Sequence, residues 1–341
     1  MEKAEIYARV HQAVRVRHFA WKTGEAYAQS VVIFQAFLNA HRELSGRSSE
    51  EKVRAFLEDM APRVAAKTQN QRLNAVVFWY RDVLEKPLGE LGSWAYAKQP
   101  KRLPSWLTPS EMARLFDVMP ERVPRLMAQL TYGAGLRLMD CMRLRMQDLD
   151  FEKRTVFIRC GKGEKDRLTI MPASLVTPLA DQVRRCRALW EANRARGAAG
   201  VYLPDTLVAK YPNAGKEWPW FWLWPARNES IDPATRIIRR HHQHEDTLQK
   251  AIKTAGTQAG IPKRVTTHVL RHSFATHQLE NGLDIYRLAE LLGHQNIETT
   301  AIYLHCLPSA VTSTGSPLDT LPGQIIRFPA TAAAQLETRQ A

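Results

Sequence analysis

Six side chains of the sequence have the types that chemistry on a phosphodiester needs. They are two arginines, two histidines, a lysine and a tyrosine: Arg137, Lys162, His268, Arg271, His294 and Tyr303. Guanidinium groups bind phosphate oxygens bidentately and neutralise charge that grows in the transition state. A tyrosine hydroxyl can attack phosphorus if a neighbouring base takes its proton, and a lysine can give a proton to the leaving 5′-alkoxide. The set predicts phosphoryl transfer without a metal ion or other cofactor.

Each of these residues also has an ordinary structural explanation when it is considered alone. An arginine that follows two glycines, as Arg137 follows Gly133 and Gly135, is more often a surface or salt-bridged residue. A lone tyrosine near a helix is usually half-buried packing, and the Gly-Lys-Gly turn around Lys162 is typical of a solvated hairpin. The prediction therefore depends on the combination.

Histidines offer a rival interpretation, which is a zinc hydrolase. His268 and His272 are four residues apart, but no glutamate lies between them as the H-E-x-x-H motif requires. His241, His242 and His244 form a second tract, with no paired cysteine or carboxylate at a suitable spacing. We predict no metal ligands, and a chelator would distinguish the two interpretations.

The charge of the chain indicates a polyanionic partner. Its 341 residues include 48 Lys and Arg against 34 Asp and Glu, a formal net charge of +14 at pH 7, and 45% are hydrophobic. This composition is globular, and the length suits two or three domains. The basic excess lies on both sides of residue 103. Nucleic acid is the first candidate partner, an anionic membrane surface is the second, and a basic protein without a nucleic-acid role is the remaining alternative.

The sequence lacks signals for secretion or membrane insertion. The N-terminal segment has no continuous apolar region, and no run approaches the roughly 18 apolar residues of a membrane span. Four cysteines without C-x-x-C spacing indicate core thiols rather than a disulfide framework or a zinc knuckle: Cys141, Cys160, Cys186 and Cys306. We predict a cytoplasmic protein with no membrane partner.

Two domains are predicted, and the second contains all six side chains. Residues 1–96 have helical periodicity and predict a bundle of about four helices. Residues 97–107, rich in proline and basic residues, predict a linker. The capping box that begins at Thr108 opens the second domain, residues 108–316. Residues 317–341 predict a tail.

The second domain is predicted to combine helices with a small sheet. β-Branched and aromatic runs at 155–159 and 168–171 flank the Lys162 turn and predict a β-hairpin. Helical patterns occupy five further segments, with glycine stops in the later ones: 138–144, 175–197, 248–259, 267–279 and 284–292. Residues 198–242 interrupt this pattern with four of the nine tryptophans. We expect so long an aromatic segment to be more than a connector.

The six residues resemble the catalytic set of the tyrosine recombinase family. That set falls in order on Arg137 in GAGLRLMD, Lys162 in GKGEKDR, His268 and Arg271 in HVLRHSFATH, His294 in LLGHQNIETT and Tyr303 in TTAIYLH. The resemblance covers nearly the whole chain. It implies a multidomain, mainly α fold, with an N-terminal SAM-like core-binding domain that clamps DNA and a mixed α/β catalytic domain with a small antiparallel sheet. One departure is Asp140, where the family commonly has a glutamate that orients the first arginine.

Within the family, the segment before His268 is similar to the extra segment of integron integrases. This implies recombination of gene cassettes at folded single-stranded hairpin sites with extrahelical bases, and at a double-stranded primary site. Trp220 matches the stacking tryptophan, and Pro233 with two histidines matches the pocket for a second flipped base. The predicted DNA contacts are Trp220, Pro233, Arg239, Arg240, His241 and His242. Stacking on an aromatic face contributes about 1–3 kcal/mol per base, whereas the alternative for the tryptophan run is a local hydrophobic core.

The resulting hypothesis is a site-specific DNA recombinase that needs neither metal nor ATP. Tyr303 forms a 3′-phosphotyrosine, His268 accepts its proton and Lys162 protonates the leaving 5′-oxygen, while two arginines and His294 hold the phosphate. By resemblance, the working unit is a homotetramer on paired DNA sites. The alternatives are another tyrosine recombinase of the Xer or phage type, a type IB topoisomerase and a catalytically silent DNA-binding regulator.

Overall fold

The structure, a computed structural model, describes residues 1–92, 96–98, 104–159, 166–203, 205–232 and 235–306. The chain divides into two units, Met1–Arg102 and Leu103–Ala341, and each has its own hydrophobic core. The division lies inside the segment that the sequence predicts as a linker. Lys162, Pro233 and the predicted tail lie outside the described residues.

The first unit is a helical bundle. Its α-helices are α1 (Lys3–Val16), α2 (Trp21–Ala40), α3 (Ser49–Met60) and α4 (Ala66–Phe78), and a π-helical turn, Trp79–Val83, follows α4. Apolar side chains one or two turns apart on these helices fill the core, among them Val10, Phe34, Phe56 and Leu73. Ser48 and Glu51 form a capping box at the start of α3. The predicted bundle of about four helices is confirmed.

The second unit opens with three helices and a sheet. These helices are α5 (Pro109–Val118), α6 (Val123–Gly133) and α7 (Leu138–Met142). Thr108 caps α5, accepting a hydrogen bond from the amide of Glu111 at 3.2 Å as the capping box predicts. Strands β1 (Leu149–Asp150), β2 (Thr155–Ile158) and β3 (Arg167–Ile170) follow as an antiparallel sheet in that order. Strands β2 and β3 are the predicted hairpin, paired with Phe157 opposite Leu168.

The remaining helices and strands complete the second unit. They are α8 (Val176–Ala195), α9 (Asp205–Lys210), β4 (Ser230–Ile231), β5 (Ile238–Arg239), α10 (Glu245–Gln258), α11 (Thr267–Glu280), α12 (Ile285–Leu292) and α13 (Glu298–Ala301). The small elements α9, β4 and β5 lie inside residues 198–242, where the sequence predicted no regular structure. Asp284 caps α12 by accepting from the amide of Tyr286 at 2.8 Å, and Gly293 ends it with a φ of +64°.

Three cysteines are buried and free, as predicted for core thiols: Cys141, Cys186 and Cys306. Cys160 lies outside the described residues. In the described part of the chain, no helix is long and apolar enough to cross a membrane.

Candidate active site

Arg271 joins two turns of the second unit. Its side chain, on α11, is only 5% exposed. One terminal nitrogen donates to the Gly135 carbonyl oxygen at 2.6 Å, and the other donates to the Leu292 carbonyl oxygen at 2.7 Å. The second nitrogen also lies 3.1 Å from His294 Nε2. Burial, followed by the charges of neighbouring arginines, lowers the pKa of Arg271 to about 9, so the guanidinium remains charged at neutral pH.

Three arginines converge on the C-terminal end of α12. They donate to three successive carbonyl oxygens: Arg167 to Leu291 at 3.0 Å, Arg271 to Leu292 at 2.7 Å, and Arg137 to Gly293 at 3.4 Å. The last carbonyl groups of a helix have no intrahelical donor and carry the negative end of the helix dipole. The end of α12 at Gly293 therefore supplies backbone carbonyl oxygens as acceptors for the three arginine side chains.

Asp140 organises this cluster from the start of α7. Its Oδ2 accepts from the backbone amide of Arg137 at 3.1 Å and from Arg167 Nη2 at 2.6 Å, and it lies 3.9 Å from Arg137 Nη1. Nη1 of Arg137 is buried and has no hydrogen-bond acceptor among the described residues. The shorter side chain of Asp140 thus fixes the backbone of Arg137 through its amide.

His294 is a neutral imidazole with a defined tautomer. Because arginine can only donate, Nε2 of His294 accepts from Arg271 and the proton lies on Nδ1. Nδ1 then donates to Thr300 Oγ1 at 2.8 Å. Burial, followed by the charge of Arg271, lowers the pKa of His294 to about 4.

The Tyr303 hydroxyl lies inside the same cluster and is 2.8 Å from His272 Nδ1. Tyr303 is 2% exposed, and burial raises its pKa, although Arg271 and Arg137 act in the opposite direction. The ring of His268 lies 6.5 Å from that of His272, one turn earlier on α11. The structure therefore brings together five of the six predicted catalytic residues, while Lys162 lies outside the described residues.

The tryptophan-rich segment separates into core residues and half-exposed residues. Trp222 and Trp224 are 3% and 0% exposed and belong to the core of the unit. Trp218 packs against Trp190 with ring centroids 5.8 Å apart. Trp220 is half-buried at the end of the 3₁₀ turn Trp218–Trp220. Trp222 and Trp224 are thus core residues, and Trp218 and Trp220 are partly buried and packed against that core.

Arg145 holds this segment in place. Its side chain donates to the carbonyl oxygens of Trp220 at 2.6 Å and Tyr202 at 2.9 Å. Its guanidinium lies 3.8 Å from the ring centroid of Trp222 and 5.6 Å from that of Trp220. The residue is 8% exposed, and burial lowers its pKa to about 10. Arg145 therefore ties the backbone of the tryptophan-rich segment at Trp220 to the backbone at Tyr202.

The two histidines of the segment have different surroundings. His241 is half-buried, and its ring stacks beside Tyr202 with centroids 6.5 Å apart. His242 donates from Nδ1 to the Gln243 carbonyl oxygen at 2.7 Å and meets the Trp222 ring edge-on. Burial lowers the pKa of His242. Both rings are positioned by aromatic neighbours.

The two arginines before these histidines donate to backbone carbonyl oxygens. Arg239 Nη1 donates to Gly200 at 2.9 Å. Arg240 is 7% exposed, and its Nη1 donates to Ala226 at 2.7 Å and Arg227 at 2.6 Å. Among the described residues, no three His, Cys, Asp or Glu side chains group as a candidate metal site.

Comparison with known proteins gives the family. Residues 105–309 match the model of the phage integrase family, and residues 6–90 match that of the phage integrase N-terminal SAM-like domain. An Escherichia coli protein named integrase/recombinase is 41% identical over 324 residues, which cover 94% of this chain and 95% of that protein. The chain belongs to the phage integrase family. Tyrosine recombinase XerA from Thermococcus onnurineus is 35% identical over 266 residues, 77% of this chain and 80% of that protein.

A solved structure has a fold similar to that of this chain. The Tn1549 transposon integrase in complex with transposon right-end DNA has a TM-score of 0.56 and 16% identity, with 100% of both chains covered. The predicted mainly helical fold with a SAM-like N-terminal domain is confirmed. Family membership also confirms the predicted enzyme class, a tyrosine site-specific recombinase.

Sequence reasoning missed several residues that shape the site of this integrase. His272 was considered only as a zinc ligand, and Arg145, Arg167 and Thr300 were not singled out. Their contacts join residues far apart in the chain, such as Arg145 and Trp220. The one local signal was the position of His272 next to Arg271 in HVLRHSFATH.

Proposed function

We propose that this recombinase is an integron integrase. It inserts and excises gene cassettes at folded single-stranded hairpin sites and at a double-stranded primary site, and it works in the cytoplasm as a homotetramer on paired sites. The proposal rests on the similarity of residues 198–242 to the extra segment of integron integrases and on the half-exposed Trp220 in that segment. The net charge of +14 favours DNA as the partner.

The catalytic roles follow the resemblance, and the geometry supports those of Arg137, Arg271 and Tyr303. Tyr303 attacks the scissile phosphate to form a 3′-phosphotyrosine, which conserves bond energy so that rejoining needs no ATP. Arg137 and Arg271 hold the phosphate oxygens, and Lys162 protonates the leaving 5′-oxygen. The resemblance places His294 on the phosphate as well, and it can donate there only once its Nε2, which accepts from Arg271 in the structure, has taken up a proton. The resemblance assigns the role of proton acceptor to His268. The observation that carries this proposal is the buried Arg137 Nη1, a donor without an acceptor among the described residues, in the cluster that also contains the Tyr303 hydroxyl.

Covalent trapping on a nicked suicide hairpin tests this chemistry. Wild-type protein is expected to form a protein–DNA adduct in EDTA, and Tyr303→Phe is expected to form none. Tyr286→Phe is the matched control, because Tyr286 is 68% exposed on α12 and has no proposed role. An adduct in the Tyr303→Phe protein, or none in the wild type, would overturn the mechanism. Loss of activity in EDTA would favour a zinc enzyme, and relaxation of supercoils without joining of two sites would favour a topoisomerase.

For hairpin recognition, we propose that Trp220 stacks on one extrahelical base and that Pro233, His241 and His242 form the pocket for a second. Arg239 is proposed to contact the DNA of the same site, and the same role for Arg240 requires its buried guanidinium to leave the Ala226 and Arg227 carbonyl oxygens. His241 stacks beside Tyr202, which supports the proposal of an aromatic surface near Trp220. An aromatic platform accepts any base, because every base has a π-face.

Binding measurements test the platform. Trp220→Ala is expected to weaken binding to a hairpin with extrahelical bases by about 5- to 150-fold, which corresponds to about 1–3 kcal/mol of lost stacking. Binding to plain duplex should change little. Trp218→Ala is the control for packing damage, since Trp218 lies two residues away against Trp190. The double substitution of His241 and His242 by alanine should also affect the hairpin more than the duplex. Equal losses on both DNAs would contradict the proposal.

A further inference from the structure

His272 is the histidine in contact with the nucleophile. Its Nδ1 lies 2.8 Å from the Tyr303 hydroxyl oxygen, a normal hydrogen-bond distance. The two residues are 31 positions apart, so the contact is tertiary. His272 has no part in the chemistry proposed above, whereas its neighbour Arg271 is proposed to bind the phosphate.

We propose that His272 is the proton acceptor for Tyr303 in the cleavage reaction, an inference that rests on the proposed recombinase chemistry. As the phenolic oxygen bonds to phosphorus, the hydroxyl proton moves to His272 Nδ1 and the ring becomes an imidazolium. The bond from phosphorus to the 5′-oxygen breaks, and that oxygen takes a proton from Lys162. Rejoining reverses each transfer, so no oxidant, reductant or metal is required.

The protonation states of the pair suit this transfer. Burial, and after it the nearby His268, lowers the pKa of His272 to about 4, so the ring is neutral at pH 7 and can accept. Burial raises the pKa of Tyr303, so the hydroxyl does not ionise before attack and needs an acceptor in contact. The groups that act on these two residues are His268 and Arg271 on α11, His294 after α12, Arg137 before α7, and Cys306. The negative charge of a bound phosphodiester favours the imidazolium that the transfer creates.

The rate of adduct formation as a function of pH tests the assignment. Asparagine at position 272 can accept a hydrogen bond but cannot accept a proton at these pH values. His272→Asn is therefore expected to slow single-turnover cleavage by about 10²- to 10⁴-fold at pH 7, the usual contribution of a general base. The deficit should shrink by about tenfold per pH unit up to pH 9, because hydroxide replaces the missing base. A merely structural loss would not recover with pH.

The same helix offers a matched control. His277 Nδ1 lies 2.8 Å from the Tyr132 hydroxyl, so α11 carries a second tyrosine–histidine pair of the same length. His277→Asn should cleave within about threefold of the wild type at every pH, at protein concentrations that saturate the DNA. If His272→Asn does not fold, His272→Gln is used, with the same expected profile.

The pH profiles of the variants distinguish His272 from His268 as the proton acceptor. A His272→Asn deficit that is below threefold or independent of pH would overturn the inference. A pH-dependent recovery in His268→Asn and none in His272→Asn would assign the role to His268. Both results leave the recombinase mechanism intact, because the wild type still forms the adduct. Absence of the wild-type adduct would instead remove the proposed function.

Discussion

Replacing Arg145 by methionine should destabilise the second unit without changing any residue of the proposed active site. Methionine keeps an apolar stem, but it removes both donors to the carbonyl oxygens of Trp220 and Tyr202. An acceptor left without a donor costs about 1–3 kcal/mol when it is fully buried. Both bonds are partly buried, so the pair predicts a loss of at most about 6 kcal/mol. Arg145→Lys keeps the charge but can reach only one carbonyl, and we expect about half of that loss.

Urea unfolding followed by tryptophan fluorescence measures this loss of stability. Trp222 reports on the substituted site, because its ring centroid lies 3.8 Å from the Arg145 guanidinium. Arg143→Met is the matched control, because Arg143 is exposed and only two residues away. It should change the free energy of unfolding by less than about 0.5 kcal/mol. If Arg145→Met costs less than 1 kcal/mol more than this control, on the order of a single unmade hydrogen bond, the argument is refuted. While it remains folded, the Arg145→Met protein should also bind the hairpin more weakly relative to duplex, because the Trp220 carbonyl has lost its anchor.

Two further outcomes follow from the geometry of the site. Gly135→Ala should cost about 2–5 kcal/mol of stability in urea unfolding, because its φ is +63° and a Cβ would lie 2.5 Å from Phe274 Cδ1. Gly260→Ala, with the same φ and nothing within 4 Å, should cost only about 1–2 kcal/mol, and equal losses would contradict the clash. Stability should also fall as pH drops from 6.5 to 4, since burial lowers the pKa of His272 and His294 to about 4, below the ordinary histidine pKa of about 6.5. The unfolded chain takes up these protons first, so asparagine at either position should flatten the loss measured by urea unfolding between pH 7 and pH 5.

The elements of the catalytic unit were predictable where local chemistry determines them. The capping box at Thr108 and the glycine stop at Gly293 mark helix ends through backbone hydrogen bonds between residues close in sequence. The alternation of residues 155–171 similarly indicates paired strands. The types of the six predicted catalytic side chains indicate phosphoryl transfer, and their order along the chain resembles that of the tyrosine recombinases.

The supporting residues could not be predicted for a physical reason. Arg145, Arg167 and Arg240 are charged residues that sequence reasoning places on the surface, yet each is at most 8% exposed. Their partners include backbone carbonyl oxygens, which every residue has, so no side-chain pattern identifies them. The contact of His272 with Tyr303 was hidden in the same way, since it depends on how α11 packs against the turn after α13.

The way the arginines are held explains how the site can be both ordered and positively charged. Three guanidiniums close together repel one another, and Arg137 and Arg167 both lower the pKa of Arg271. Three carboxylates would hold them equally well, but they would cancel the charge that a phosphate needs. The carbonyl groups at the end of α12 orient the arginines without adding a full negative charge, and Asp140 supplies one carboxylate for Arg167. A helix that ends at Gly293 thus fixes the geometry while most of the positive charge remains for the substrate.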